Sequence, residues 1–374
     1  MRTLVLLVAM SWVAACSNAP EKPKPRKLER LDPAIELSRI ASESLGGEDV
    51  TGLRPQVSAA GIAVASADGE VSLLDVSDLD ELWSNDLDRD IVGGVAVNAD
   101  TVFVTTADGA LLALSLADGS LVFEVQLPSV STTPPEADQD QVYVKTQIGR
   151  LMAFDARSGA LNWLEETQES GIGIRGGAPM TLSNGALFVL WESGRLVTYQ
   201  ANSGRIIWER QVAVSRGRSP LERIVDSKGA PSVQNNLIAT ATRNGQVSVL
   251  DARSGQIVWS IDADAYPGAL LAFNLVTVVE TDGTVAAYSA QSGESVWSNT
   301  DLQYRELSAP TAFANAIAVV DLEGELHLLD PADGRVVGRV DTGSAKGLIA
   351  PVAAAEGLLV QLADGRLTLV GVTR

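Results

Sequence analysis

One cysteine and one histidine in 374 residues leave little material for side-chain chemistry. With Cys16 alone no disulfide can form within the chain. Structural zinc sites draw on several Cys and His ligands, and no such cluster occurs at metal-binding spacing. Any Ser-His-acid proposal has to use His327, which sits in the alternating run Glu325-Leu326-His327-Leu328-Leu329 and is read as a structural strand residue. Basic residues are also short: 28 Lys and Arg against 47 Asp and Glu give a formal charge of −19, where a nucleic-acid binder shows a basic footprint. The acidic surplus is read as a solvated surface that keeps the chain soluble. Aromatics make up only 5% of the chain, and the apolar run at residues 4–15 is too short to cross a bilayer as a helix.

What is present is repetition. A tight-turn glycine recurs at Gly69, Gly109, Gly149, Gly194, Gly245, Gly283, Gly324 and Gly365, at spacings of 40, 40, 45, 51, 38, 41 and 41. A period in this range marks an array or a propeller. Blade five shows the unit: Leu237-Ile238-Ala239-Thr240-Ala241-Thr242, the turn Arg243-Asn244-Gly245, then Gln246-Val247-Ser248-Val249-Leu250. Asn-Gly between two β-branched runs is a hairpin signal. A second turn, Asp251-Ala252-Arg253-Ser254-Gly255, leads to a strand carrying Trp259. The same place holds Trp83, Phe123, Trp163, Trp208 and Trp297, but Gly338 in unit seven. Fourteen residues before the hairpin glycine stands proline in most units (Pro55, Pro135, Pro231, Pro310, Pro351; Pro179 one further), where a strand's first residue needs no ladder donor.

Each unit is thus four strands, and radial repetition of such blades makes a β-propeller. The expected fold is all-β, an eight-bladed propeller of four-stranded antiparallel blades. The last unit lacks a fourth strand, and residues 34–40 are expected to supply it and close the ring, leaving no open edge between the ends. The recurrent Asp68, Asp108, Asp282 and Asp364 are read as turn residues bonding their own backbone, and the tryptophans as packing between blades. Gly171-Ile172-Gly173 and Gly176-Gly177 lack the strand-to-helix context of a phosphate loop.

The N-terminus has a basic residue, Arg2, an apolar stretch, and Val13-Ala14-Ala15-Cys16, which looks like a bacterial lipobox. Residues 1–15 are read as a lipoprotein signal peptide, with Cys16 as the lipidated first mature residue. Residues 16–32, with Pro20, Pro23 and Pro25 among lysines, are read as a stiff linker, and 33–374 as the propeller. Ser17 after the cysteine, in place of aspartate, resembles cargo sorted to the outer membrane, on its periplasmic face.

The repeats break rank in two places. From the tryptophan position to the next unit the gap is 12 or 13 residues in most units, but 16 from Trp163 to Pro179 and 23 from Trp208 to Pro231. Insertions in repeat proteins gather on one face, often the binding face, and these two are consecutive. The first holds Ile172-Gly173-Ile174-Arg175-Gly176. The second runs through Leu221-Glu222-Arg223-Ile224-Val225-Asp226. Aliphatics beside arginine have the makeup of interface hot spots. The same aliphatics could equally fold back as a satellite core under long loops.

The blade signature, as in Asp155-Ala156-Arg157-Ser158-Gly159-Ala160-Leu161-Asn162-Trp163, is similar to that of both quinoprotein dehydrogenases and the BamB family of propeller lipoproteins. The two loops and the lipobox resemble the BamB family. That resemblance implies a non-catalytic scaffold without cofactor, docking on the POTRA domains of BamA and assisting the folding and insertion of outer-membrane β-barrel proteins, with unfolded clients as further partners. It assigns the contact to Ile172, Ile174, Arg175 and Asp226, with Leu221 and Arg223 beside them. One position departs: where the family has a second acidic residue two places after Asp226, this chain has Lys228. The dehydrogenases are longer and use an adjacent cysteine pair, which this chain lacks. A propeller that scaffolds a different envelope complex is the remaining alternative.

Overall fold

The computed structural model describes residues 23–46, 53–167, 177–214, 227–243, 245–347 and 349–373. They form eight four-stranded antiparallel sheets and no helix. Blades 1 to 7 are continuous in sequence, spanning residues 56–86, 91–126, 136–166, 181–211, 232–263, 269–299 and 311–341. Within each, the strands pair in chain order from the axis outward. The inner strand begins directly after a buried proline in five of the eight blades, as with Pro55 before Gln56–Val57 and Pro231 before Ser232–Gln234. The second and third strands are buried along nearly their whole length, because each is covered by a neighbouring blade on both faces.

Eight apolar clusters hold the ring, one for each interface between blades. Between blades 5 and 6, for example, Ala239, Ala241, Val247 and Val249 meet Leu271, Val276, Val278 and Ala286. In five blades the fourth-strand tryptophan extends the contact to the rim. Its Nε1 donates to a backbone carbonyl of the next blade: Trp83 to Leu116, Trp163 to Ala201, Trp208 to Ala252 and Trp259 to Ala290 at 2.9 Å, Trp297 to Pro331 at 2.8 Å. Its ring lies on the glycine of that blade's second turn. A Cβ on Gly204 would sit 2.6 Å from Trp163 Cε3, and the residue has φ +69°, so only glycine satisfies both the turn and the ring above it.

The last blade closes as expected, with a shift in bounds. Its first three strands are Val352–Ala353, Leu358–Gln361 and Arg366–Val372, and the fourth is Leu37–Ser44, paired from Leu37↔Val372 to Ser44↔Arg366. It begins at Leu37, not at residue 34, because the amides of Ala34 and Ile35 both donate to Val337 O of blade 7. The same contact explains the missing tryptophan of unit seven: a Cβ at Gly338 would stand 2.8 Å from Ile35 O. The closing strand carries no tryptophan either, and blade 1 compensates in its second turn. There Leu79 takes the glycine position at φ 63°, its amide donating to Asp75 O at 3.2 Å, and its buried side chain joins Leu45, Ile62, Leu74 and Leu367 in the seam.

Upstream of that seam the chain, though largely exposed, is tied to the ring at defined points. Arg26 N donates to Gln303 O at 3.0 Å and Leu28 packs on the blade 6–blade 7 cluster, so contact with the propeller starts within the stretch read as linker.

Leu79 gives a direct test of the seam. Leu79→Gly relieves a left-handed dihedral, worth about 1 kcal/mol, but empties a buried leucine site, worth roughly 3–5 kcal/mol. A net loss of about 2–4 kcal/mol is expected in chemical denaturation; a neutral or stabilising effect would show that Leu79 does not fill the seam.

Candidate docking face and central channel

The inter-blade connections and the central hairpin turns share one face. In six blades the amide that follows the fourth strand donates to the carbonyl of the hairpin glycine: Leu87 to Gly69 at 3.0 Å, Leu127 to Gly109 at 2.8 Å, Thr167 to Gly149 at 2.9 Å, Val212 to Gly194 at 2.9 Å, Thr342 to Gly324 at 3.0 Å and Leu45 to Gly365 at 3.0 Å. We call this the loop face; the opposite, turn face carries the Asp-x-x-Ser-Gly turns. Those turns are built as read from sequence: Asp155 Oδ1 accepts from Ser158 N at 2.8 Å and Ser158 Oγ at 2.7 Å, and Asp251 does the same with Ser254. The serine hydroxyl, and then the backbone amides, hold both carboxyls below the usual range.

Both lengthened connections open on the loop face, after Glu166 and after Gln211. Ile172, Ile174, Arg175, Leu221, Arg223, Ile224 and Asp226 lie outside the described residues, as does Cys16. Their footings are described. At the first, buried Lys145 donates from Nζ to Ala178 O at 2.9 Å, pairs with Glu192 Oε1 at 3.3 Å and lies 5.7 Å from the Trp191 ring. At the second, Lys228 N donates to Tyr266 O at 3.0 Å, while Lys228 Nζ and the Arg243 guanidinium lie 5.6 and 5.5 Å from the Tyr266 ring. Lys228, the departure from the family pattern, is thus seated against an aromatic ring at the wall of the central channel.

Sequence reasoning missed one residue here. Ile148, 52% exposed, tips the blade 3 hairpin, and Gly149 beside it accepts the amide of Thr167 at the start of the first long connection. The other hairpin tips carry Asp68, Asp108, Ser193, Asn244, Asp282, Glu323 and Asp364. An aliphatic at this position in one blade of eight was the available signal. Val214, 55% exposed, adds a second apolar side chain where the second connection leaves blade 4.

The axis holds a cavity of about 620 Å³, lined by Arg54, Pro179, Lys228, Tyr266, Glu306 and Pro310 among others. Glu136 on the inner strand of blade 3 is pushed up to about 7 by burial, partly opposed by the Arg54 charge; burial in turn lowers Arg54. Among the described residues no group of three His, Cys, Asp or Glu could hold a metal ion.

His327 is fully buried in blade 7. Its Nε2 donates to Asp321 Oδ2 at 2.9 Å, and its Nδ1 accepts from Arg339 Nε at 3.2 Å. Arg305 Nε also donates to Asp321 Oδ2, at 2.6 Å. Burial holds the imidazole below its ordinary value against the pull of Asp321, so it is neutral. For Asp321, burial is outweighed by the bonds from His327 and Arg305, and the carboxyl lies low.

A ring of eight four-stranded blades, most of them joined by an aromatic ring laid on the next blade's turn glycine, defines a propeller of the PQQ-repeat class. Within that class the family model described as outer membrane protein assembly factor BamB matches residues 67–299 and 281–373. The BamB of Pseudomonas aeruginosa is 40% identical over 90% of this chain and 89% of its own length. The crystal structure of BamB from Moraxella catarrhalis superposes with a TM-score of 0.81 at 28% identity, over 90% of this chain and 99% of that one. The chain belongs to the BamB family of outer membrane protein assembly factors. A quinohemoprotein alcohol dehydrogenase from Comamonas testosteroni, at 15% identity and TM-score 0.69 over 93% of this chain and 79% of its own, shares the fold.

Glu136 supplies a pH test of the channel. Its folded value near 7 lies above the ordinary 4.5, so ionising it costs stability increasingly as pH rises from about 4.5 to 7. Glu136→Gln is therefore expected to stabilise by about 1 kcal/mol at pH 8, discounted for the open channel wall, and to be neutral at pH 4. Thermal melts at both values check it; equal shifts at the two pH values would contradict the assignment.

Proposed function

We propose that this protein is a non-catalytic scaffold of the β-barrel assembly machinery, docking on the POTRA domains of BamA from its loop face. The observation that carries this is the pair of consecutive lengthened connections on one face of an otherwise regular ring, bordered by exposed Ile148 and Val214. Rigid blades hold that face with little ordering cost on binding, and aliphatic and arginine anchors supply hot-spot contacts. Ile172, Ile174, Arg175, Leu221, Arg223 and Asp226 form the contact, with Ile148 at its edge. Cys16 carries the lipid, and burial of its acyl chains at roughly 0.8 kcal/mol per methylene keeps the ring at the periplasmic side of the outer membrane. Unfolded barrel proteins are the clients served.

The test is a pull-down of envelope complexes from the native host with wild type and an Ile174→Ala, Arg175→Glu variant. Wild type is expected to recover a POTRA-bearing barrel protein, and the folded variant to lose it by at least about tenfold, as removal of a hot spot of 1.4 kcal/mol or more requires. Recovery of a different envelope protein by wild type would transfer the scaffold role to that partner. Equal recovery by both would move the contact elsewhere. Ile148→Asp is expected to weaken recovery severalfold with an unchanged melting temperature, and full recovery would remove Ile148 from the contact.

A further inference from the structure

The described chain enters the ring along a defined path. At the loop face, in the connection between blades 6 and 7, Arg26 N donates to Gln303 O at 3.0 Å. Its Nη1 donates to Thr300 O at 3.1 Å and its Nη2 lies 3.5 Å from Asp301. Leu28 then packs on the cluster containing Leu302, Leu307 and Ile317. Arg339 Nη1 donates to Glu29 O at 2.9 Å, midway along the outer edge of blade 7. Ala34 and Ile35 reach Val337 O at the turn face, from which the closing strand returns.

The blade side of this path is built in advance. Arg305 is 4% exposed at its side chain and is bound through Nε to the fully buried Asp321; it also pairs with Glu323 and points Nη1 at Arg26 O, 3.1 Å away. Arg339 is held at Nε by His327 Nδ1, and His327 is held by the same Asp321. Two guanidinium groups, fixed by one buried carboxylate and the chain's single histidine, therefore each spend a remaining N–H on a carbonyl of the entering segment. Long cationic side chains lose much freedom when ordered, and fixing them beforehand removes that cost from the contact they make.

We propose that residues 26–35 are a strap, which pins the entering chain to the loop face at the blade 6–blade 7 junction and so hangs the ring with its loop face toward the membrane. This rests on the lipid-anchor reading of Cys16. Nine residues lie between Cys16 and Arg26, ten steps of chain with a reach of at most about 35 Å. A free linker of all the residues up to Leu37 would allow either face to approach the bilayer. With the strap seated, the anchor leaves from the same face that carries both long connections.

Two measurements test this. Trypsin cleavage after Arg30 reads the strap alone. Wild type is expected to be cut about tenfold more slowly than an Arg26→Ser, Leu28→Ser variant, which removes strap-side contacts and leaves the blades intact, at equal melting temperature of the ring. Equal cleavage rates would overturn the strap. For orientation, full-length lipidated protein is bound to phosphatidylethanolamine–phosphatidylglycerol vesicles bearing a headgroup-linked acceptor dye. A donor is placed at Gln147→Cys on the loop face or at Asn202→Cys on the turn face. Stronger energy transfer from Gln147→Cys, lost in the double variant, is the expected result. Equal or reversed transfer would overturn the orientation. Failure to float with the vesicles would overturn the anchor reading and the orientation with it, while the trypsin result would still decide the strap.

Discussion

The ring depends on one repeated contact, a tryptophan ring laid on the glycine of the next blade's second turn. It joins three constraints at one point. The turn needs a left-handed residue, the ring needs a neighbour without a Cβ, and the indole N–H needs an acceptor once buried. Asn85, Arg210 and Asn299, two residues beyond their tryptophans, add bonds to the carbonyls of Gly119, Gly255 and Gly334. Because each contact fixes a blade relative to its successor, the positions of the loops around the rim follow from it. Residues on separate blades can then act as one surface without a core beneath them.

A ring built this way has to solve the place where the chain's two ends meet, and here the repeat rule is suspended on both sides. Blade 7 gives up its tryptophan for Gly338, because the entering chain lies where the indole would be. Blade 1 gives up its turn glycine for Leu79, because no indole arrives from the closing strand. The two exceptions have opposite chemistry, small for large and large for small, and each fits what its own interface receives: the entering chain beside Gly338, and the seam cluster around Leu79.

Much of this was legible from spacing. The eight glycines, the prolines one residue before the inner strands and the tryptophans fix blade number, strand order and the N-terminal closure. Periodicity shows what repeats, however, and the seam does not repeat: Gly338 and the turn at Leu79 register as irregularities whose reasons require Ile35 and the closing strand in three dimensions. The path of residues 26–35 was likewise hidden, because a proline- and lysine-rich composition describes a linker's stiffness but not the arginines that receive it, Arg305 before blade 7 and Arg339 within it. The alternation around His327 marks it as a strand residue, and it is one, buried in blade 7. That its partners would be Asp321 and Arg339 could not be read, since the bond joins neighbouring strands and then the entering chain. Among the loop-face residues, Ile148 was available in the sequence as the one aliphatic hairpin tip, but it stands out only when all eight tips are compared.

The distribution of irregularity across the molecule has a physical logic. The turn face is held by second turns of constant backbone design, in which the amide of the fifth residue donates to the carbonyl of the first in seven blades, as Gly119 to Ser115 and Gly334 to Asp330, each turn satisfying part of its own backbone. The loop face is where connections can lengthen without disturbing any tryptophan contact, since the indoles dock on second turns at the opposite face. Variation is therefore cheap on one face and costly on the other. An entering chain that crossed to the ring at the turn face would have to displace those turns. Entry at the loop face needs only a connection long enough to receive it, and the segment from Thr300 to Pro310 provides that. Recognition loops and chain entry share a face because the same packing rule permits both there.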